Sequence, residues 1–465
     1  MDLRLSLAII MGKIISFLNK LTGSGATAAP GLYALKIDPH LVKKLTKKLR
    51  YGNIIISGTN GKTTTARLTS DIVSTKFRVV HNRQGSNLLR GIASTLISSS
   101  SLTGQNPANL GIWEVDEATL PQALENIEPQ IIALLNLFRD QLDRYGEVDS
   151  IRKKWQTGLL SHGRGTTLIL NADDPGISYL GKFFKGKIIY FGIGEKKLNL
   201  PEISQVADVK HCLNCGQKLN YSTTLSSHLG HYTCPKCRFK RPKPDISASN
   251  LKFNSNFSTS IKLTVNGQLL FERYRDLTVN YSLPGLYNVY NVLAAVAIAD
   301  QLKIDHTKIR QNLESFSAAF GRFQKVTIQG KSAAIFLIKN PTGANEVLRI
   351  LSQKQNMSIL AILNDKIADG RDVSWIWDTN WEILTTKIKR ISVSGTRAWD
   401  LATRIKYAGM KMSKNNVYEN IDYSITKSIG NLSTIDTLII LPTYTAMLEV
   451  QKSLARLGGQ KWHKD

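Results

Sequence analysis

Residues Ser57-Gly58-Thr59-Asn60-Gly61-Lys62-Thr63-Thr64-Thr65 directly follow a short apolar run and precede a helical pattern. Glycines at 58 and 61 let the backbone N–H groups of the turn, with Thr59 and Asn60 between them, approach an anion. The N-terminus of the helix that follows adds favourable partial charge. Lys62 is placed to reach the β- and γ-phosphates of a nucleotide, and the hydroxyl of Thr63 or Thr64 to ligate Mg²⁺. The general phosphate-loop pattern has four residues between its glycines; here there are two, with Ile56 where the first glycine would fall. The chemistry this predicts is phosphate binding and transfer by a particular variety of phosphate loop.

A second constellation uses all four cysteines of the chain, Cys212-x2-Cys215 and Cys234-x2-Cys237 with eighteen residues between the pairs. Two such pairs on tight turns can surround one tetrahedral Zn²⁺ with four thiolates, a zinc ribbon. Gly216 after the first pair and Pro235 inside the second favour the turns, and nearby Lys and Arg favour thiolates. Four ligands leave no open position, so the expected Zn²⁺ is structural. The neighbouring His211, His228 and His231 are expected on the surface of the knuckles rather than on the metal.

Positioning these groups needs buried strands. Asn53–Ser57, Leu110–Val115, 131–137, 167–170 and 187–191 are continuous apolar runs separated by helical patterns such as Leu120–Asn126, the texture of a mostly parallel sheet covered on both faces. Residues 205–245 change to cysteine knuckles and Lys/Pro-rich text, read as an insertion. Residues 251–282 alternate apolar and polar side chains, as antiparallel strands do. Apolar helices are expected at 288–302 and 304–316, and a second α/β series has strands near 333–338, 358–363, 390–393 and 437–441. The expected class is α/β: a short N-terminal segment (1–50), a central domain (51–318) with the 205–245 insertion, and a C-terminal α/β domain (319–465).

The chain has 465 residues, with 61 Lys+Arg against 35 Asp+Glu and a net charge of +26. A hydrophobic content of 42% excludes a disordered basic tail as its main content. No apolar run reaches the ~18 residues of a spanning helix; the best, residues 3–17, is interrupted by Arg4 and Lys13 and lacks a cleavage site. A cytosolic chain is expected, its basic surface facing nucleic acid, an anionic membrane or phosphorylated substrates.

The motifs resemble, in order, those of the Mur ligase family, the ATP-dependent ligases of cell-wall precursor synthesis, together with folylpolyglutamate synthase. Gly58–Thr65 resembles their ATP loop. Trp113-Glu114-Val115-Asp116-Glu117 falls where the family carries a Mg²⁺-binding glutamate, which implies Glu114. Residues 136–146, with Asp140, Gln141 and Asp143, resemble its asparagine/DHLDR segment. Gly285-Leu-Tyr-Asn288-Val-Tyr-Asn291 resembles its GxHNxxN segment, implying that Asn288 contacts nucleotide, and Gly321-Arg322 resembles the pair whose arginine faces ATP. The departures narrow the branch. Gln141 and Tyr287 replace family histidines, and where many members have a carbamoylated lysine, ungapped counting reaches Trp155 or Gln156. With the zinc ribbon and Asp369-Gly-Arg-Asp372-Val-Ser-Trp375-Ile-Trp377, the chain looks like the synthetase-like branch that amidates lipid II.

That resemblance implies conversion of the D-glutamate α-carboxylate of the lipid II stem peptide to D-isoglutamine through an acyl phosphate, with ATP, Mg²⁺ and structural Zn²⁺. Asp372, or alternatively Asp369, would be the carboxylate that handles ammonia. With every cysteine in the ribbon, none remains as a glutaminase nucleophile, so ammonia would come from a GatD-like glutamine amidotransferase subunit in a heterodimer. The implied place is the cytoplasm, peripheral to the inner membrane face, with no nucleic-acid partner. The alternatives are an amino-acid-adding Mur ligase or folylpolyglutamate synthase, and a zinc-ribbon nucleic-acid-dependent ATPase.

Overall fold

The computed structural model describes residues 2–21, 28–83, 86–138, 148–195, 198, 209–270, 278–316, 323–433 and 436–457. Three helices come first: α1 (Leu3–Leu21), α2 (Ala29–Ile37) and α3 (Leu41–Thr46). The chain then alternates β1 (Asn53–Ser57), α4 (Lys62–Val73), β2 (Val79–His81), α5 (Leu89–Ser99), β3 (Leu110–Val115), α6 (Leu120–Asn126), β4 (Ile131–Leu134), α7 (Val148–Leu160), β5 (Thr167–Asn171), α8 (Pro175–Leu180) and β6 (Lys187–Ile193). Across a large sheet the order is β2-β3-β1-β4-β5-β6, all parallel. The chain therefore moves to one side after β1 and to the other after β3. This switch opens a crevice at the carboxyl ends of β1, β3 and β4, where ligands of such sheets bind.

The isoleucines of β1 explain why the strand is apolar throughout. Ile54 and Ile56 enter a core shared with α4 and with α9 (Leu286–Gln301), whereas Ile55 enters the core formed with the N-terminal helices. Both faces are covered, so neither can be polar. Each fully buried isoleucine contributes about 1.5–3 kcal/mol of transfer free energy. Residues 1–50 thus do not stand apart: α1 packs on α2 and α5, and α3 on α5, with Leu5, Ala8, Ile9, Leu41 and Leu45 buried.

Between β6 and its parallel neighbour β9 (Ile246–Phe253) runs the cysteine-bearing segment, with a two-stranded hairpin of β7 (Asn220–Ser226) and β8 (Leu229–Thr233). β10 (Thr259–Val265), β11 (Gln268–Leu269) and β12 (Thr278–Tyr281) extend the large sheet in antiparallel fashion, which accounts for the alternation in that stretch. α9 and α10 (His306–Ser315) complete that part. A separate six-stranded sheet has the order β13-β14-β18-β15-β16-β17: β13 (Phe323–Ile328), β14 (Lys331–Phe336), β15 (Met357–Ile362), β16 (Ile388–Ser394), β17 (Val417–Tyr418) and β18 (Thr437–Pro442). Only β13 is antiparallel to its neighbour. Helices α11 (Pro341–Leu351), α12 (Ala398–Tyr407), α13 (Ile421–Gly430) and α14 (Tyr444–Arg456) flank it. β18 lies between β14 and β15, so this sheet too has a crevice at its carboxyl edge.

Candidate functional site

Three strand ends converge at the first crevice. β1 delivers the loop 58–61, β3 delivers Glu114, and the segment after β4 delivers Asn136. Asn136 braces the loop: its Oδ1 accepts from the Asn60 N–H at 2.8 Å, its Nδ2 donates to the Asn60 carbonyl at 2.9 Å, and its carbonyl accepts from the Thr59 N–H at 3.1 Å. Thr59 Oγ1 also accepts from the Phe138 N–H at 3.0 Å. Gly58 (φ +144°) and Gly61 (φ +90°) hold backbone geometry that other residues rarely adopt. A Cβ on Gly61 would lie 2.0 Å from Asn291 Oδ1, so a side chain there would strain the backbone and displace Asn291 from the loop. The loop is therefore braced before any anion arrives, with the N-terminus of α4 behind it.

Lys62 is buried and turned inward. Its Nζ donates to the Gly58 carbonyl, to the Thr59 carbonyl at 3.2 Å and to Glu117 Oε2 at 2.7 Å. Glu117 is itself backed by the fully buried Trp155, whose Nε1 donates to the Glu117 carbonyl at 2.7 Å. Thr63 Oγ1 donates to Glu114 Oε1 at 2.9 Å, so a hydroxyl and a carboxylate lie together beside the loop. Oxygen donors of this kind suit a hard divalent cation such as Mg²⁺.

Asn288 stands one step back. Its Nδ2 donates to the Pro284 carbonyl at 2.7 Å and its Oδ1 accepts from Asn291 Nδ2 at 3.0 Å. It is Asn291 that reaches the loop, its Oδ1 accepting from Thr65 Oγ1 at 3.3 Å. Asn291 and Glu117 are the residues that sequence reasoning passed over, although both lie inside motifs it used. Arg322 and the Asp140–Gly146 stretch lie outside the described residues, as do the presumed boundaries at 205 and 318.

The second sheet supplies the opposite wall. Asn340, just beyond β14, caps α11 by accepting from the Gly343 N–H at 2.8 Å, and its Nδ2 donates to Asn60 Oδ1 at 3.0 Å. The cleft between the sheets is lined by Asn60, Gly61, Thr64, Asn136 and Phe138 on one side and by Lys339, Thr342, Gly343 and Glu346 on the other. Ser226 and Leu229 of the β7–β8 hairpin also line it. Ser226 Oγ donates to Glu346 Oε1 at 2.7 Å and Arg349 donates to the Leu225 carbonyl at 2.8 Å, so the hairpin fastens α11 to the central sheet.

Asp369 and Asp372 follow β15 on the carboxyl edge of this second sheet. Asp369 is buried and accepts from both the N–H, at 2.7 Å, and the hydroxyl of Thr445 at the start of α14. It is thus engaged in ordering a helix terminus. Asp372 is exposed and accepts from the Ser374 N–H at 2.8 Å; its bonds to Ser374 hold its carboxyl below the usual range. Neither aspartate lines the cleft directly below the phosphate loop.

The four cysteines form a separate cluster, their Sγ atoms all within 4.8 Å of one another and none in a disulfide. Cys212 and Cys237 are 3.4 Å apart at sulfur, Cys215 and Cys234 3.5 Å. The two turns repeat one geometry. In each, the first cysteine donates its N–H to a carbonyl five residues on (Gln217, Phe239) at 2.7 Å, and the fourth following residue has positive φ (Gly216 +73°, Arg238 +60°). These contacts fit four thiolates around one tetrahedral ion. The backbone N–H of Phe239 pulls the Cys237 thiol down to about 6, while burial pushes Cys212 up to about 12. One expectation fails nearby: His228 is no surface residue. It is fully buried against Phe138, with Nε2 3.4 Å from Asp174 Oδ2, because the hairpin end is tucked onto the central sheet. His231 is partly buried, with Nε2 2.8 Å from the Ile193 carbonyl.

Known proteins share this architecture and sequence. Residues 56–232 match the Mur ligase middle domain, and residues 337–447 match the MurT ligase C-terminal family. The chain is 32% identical over 460 residues to the lipid II isoglutaminyl synthase (glutamine-hydrolyzing) subunit MurT of Staphylococcus aureus strain COL, covering 97% of this chain and 99% of that one. It is 33% identical to the protein of the same name from Streptococcus pneumoniae, covering 98% of each. Among solved structures, a pseudomurein peptide ligase type C from Methanothermus fervidus superposes with a TM-score of 0.65 at 22% identity, covering 89% of this chain and 80% of that one. MurF of Thermotoga maritima in complex with ADP gives 0.63 at 12% identity, covering 91% and 84%. These two likenesses concern the fold.

Proposed function

The chain belongs to the family of MurT subunits of lipid II isoglutaminyl synthase, and from that premise we propose that it is the ATP-dependent synthetase that amidates the D-glutamate α-carboxylate of the lipid II stem peptide. The observation that carries the reading is the cleft itself: a braced phosphate loop faces the carboxyl edge of a second sheet whose next loop bears two aspartates.

A carboxylate resists attack because the nucleophile must push electrons onto an already anionic group. Transfer of the ATP γ-phosphoryl to one of its oxygens gives an acyl phosphate and ADP. Ammonia then adds to the carbonyl carbon, the C–O bond to phosphate breaks, and the amide leaves with inorganic phosphate and one proton. Gly58–Thr64 would hold the phosphates, and Lys62, released from Glu117, would meet the charge on the transferring group, the largest contribution available in such a step. Thr63 and Glu114 would hold Mg²⁺, which neutralises phosphate charge. Arg322 and, through Asn291, Asn288 would complete the nucleotide site. Asp372 is assigned to binding ammonium and taking its proton, since ammonium has no lone pair to offer. Asp369, tied to Thr445, is the weaker alternative.

In this reading the ammonia comes from a separate GatD-like glutaminase subunit, Cys212, Cys215, Cys234 and Cys237 hold a structural Zn²⁺, and the enzyme works at the inner membrane face. The deciding experiment incubates the purified chain with its amidotransferase partner, ATP, Mg²⁺, glutamine and lipid II. The product expected by mass spectrometry has NH₂ in place of one OH, and free ammonium should substitute for glutamine. Incorporation of an amino acid would return the chain to the amino-acid-adding ligases. ATP turnover responding to nucleic acid and not to lipid II would reject the assignment altogether.

A further inference from the structure

Helix α1 carries an apolar stripe on the side that faces away from the protein. Leu3, Leu7, Ile10, Met11, Ile14, Phe17, Leu18 and Leu21 are all exposed, among them Leu3 at 71%, Phe17 at 62% and Leu21 at 68%. Their spacing follows the helical repeat, so at 100° per residue they occupy a sector of about 120° along a helix roughly 28 Å long. The opposite side is already used: Leu5, Ala8, Ile9 and Gly12 are buried against α2 and α5. A Cβ on Gly12 would meet Ile97 at 2.8 Å, so α1 is seated closely and presents the stripe in a fixed orientation. Scattered exposed leucines need no explanation, but a contiguous row of eight large apolar side chains does.

The charges around the stripe identify what covers it. On the same helical projection, Arg4 borders one edge and Lys13 and Lys20 border the other, and α1 itself contains no acidic residue. Residues 1–50 carry nine Lys and Arg against two Asp. On α2, packed alongside, Leu32 and Tyr33 are exposed, and Lys36 lies over the Tyr33 ring at 5.3 Å. Arg4 Nε also donates to the Ile37 carbonyl at 2.6 Å, so Lys13 and Lys20 are the cations turned to solvent. An apolar stripe edged by such cations is suited to an anionic bilayer surface, where the stripe enters the acyl boundary and the ammonium groups reach the headgroups. Among the described residues no helix is long and apolar enough to cross a membrane. A second protein surface would have to be both apolar and acidic to match as well.

We infer that α1 is an in-plane membrane contact, lying along an anionic lipid surface and holding the enzyme where its substrate is embedded. This rests on the reading that the acceptor is lipid-linked. The test uses the full chain complexed with its amidotransferase partner, floated with vesicles of phosphatidylcholine with or without phosphatidylglycerol. Flotation should require phosphatidylglycerol and decline with salt. The triple variant Leu7→Ser/Ile14→Ser/Phe17→Ser should partition about tenfold less or weaker, and Lys13→Glu/Lys20→Glu should lose the phosphatidylglycerol dependence. Because these side chains are exposed, melting temperature and complex formation should stay unchanged. Amidation of lipid II in vesicles should decrease about tenfold in the triple variant, in step with partition, while a water-soluble stem-peptide acceptor is amidated as before. Equal flotation of wild type and variants overturns the inference. So does a triple variant that changes oligomeric state, or releases the partner subunit, with flotation intact. If the wild type floats as expected but amidates neither acceptor, the proposed reaction fails and the membrane contact stands.

Discussion

Lys62 Nζ lies 2.7 Å from Glu117 Oε2, and both side chains are almost fully removed from solvent. β1 and β3 are paired neighbours, with Ile56 opposite Glu114, so a glutamate three residues past that point can reach the first residue of α4. A buried pair of this kind is costly to break on one side only, because the remaining charge has nowhere to go. The pair therefore fixes the Lys62 side chain, and in the proposed function phosphate would take the place of the carboxylate.

Lys62→Met should abolish ATP turnover, by at least about 100-fold, and destabilise the fold by about 3 kcal/mol, because Glu117 is left buried without its cation. Adding Glu117→Gln should recover most of the stability and none of the turnover. Denaturant unfolding and phosphate release on the two variants check both halves. Equal stability of the single and double variants would mean that the pair does not matter to the fold.

Thr63 and Glu114 make the second pair beside the loop, at 2.9 Å. Glu114→Gln keeps the shape and the hydrogen bond but removes the charge that would attract a divalent cation. The Mg²⁺ concentration for half-maximal ATP turnover should increase about tenfold, with saturating activity partly retained. An unchanged Mg²⁺ titration would remove Glu114 from the metal site.

The two aspartates after β15 separate by what they touch. Asp369 orders the start of α14 through Thr445, so Asp369→Ala should cost about 1–2 kcal/mol of stability. Asp372 is exposed, and Asp372→Asn should leave the melting temperature and partner binding unchanged while amidation is lost. ATP binding, followed calorimetrically, should also persist. A fully active Asp372→Asn enzyme would transfer the proton-accepting role elsewhere.

Local text carried the elements whose signal is local. Three consecutive isoleucines before a glycine turn specify a buried strand feeding a tight loop and a helix, and repeated Cys-x2-Cys spacing specifies two matching turns. Relations between distant segments were not legible. The reach of Glu117 to Lys62 depends on which strand lies beside β1, and the contact of Asn291 with the loop depends on where α9 crosses it. His228 looked like knuckle surface because nothing local shows that the hairpin end is tucked under. Residues 3–17 were legible as an apolar run interrupted by Arg4 and Lys13, but which side stays uncovered depends on α2 and α5. The resemblance put Asp372 ahead of Asp369, but that Asp369 is buried on Thr445 while Asp372 is exposed depends on distant segments and was not legible.

The cysteine cluster predicts an ordering of thiol reactivity. After chelation, the Phe239 N–H favours the thiolate of Cys237, whereas burial disfavours that of Cys212. Iodoacetamide followed by peptide mass spectrometry should modify Cys237 first and Cys212 last. Protein isolated without chelator should contain one Zn²⁺ per chain and resist alkylation at all four positions, since metal-bound thiolates are masked.

His81, on β2, gives the fold a pH dependence of its own. Burial holds its imidazole down to about 3, with Arg83 and Arg67 adding repulsion, so the native state keeps it neutral. In the unfolded chain it takes a proton near pH 6.5. Between those values the unfolded state binds the extra proton, and stability falls as pH falls, by up to about 1.4 kcal/mol per unit from this group alone. Above pH 6.5 the group contributes no slope. Urea midpoints measured from pH 7.5 down to about 4 should therefore decline less steeply in His81→Phe than in the wild type, whatever the offset between them at neutral pH. Parallel curves would mean that the native state admits the proton, which would require water or a counter-charge to reach the ring.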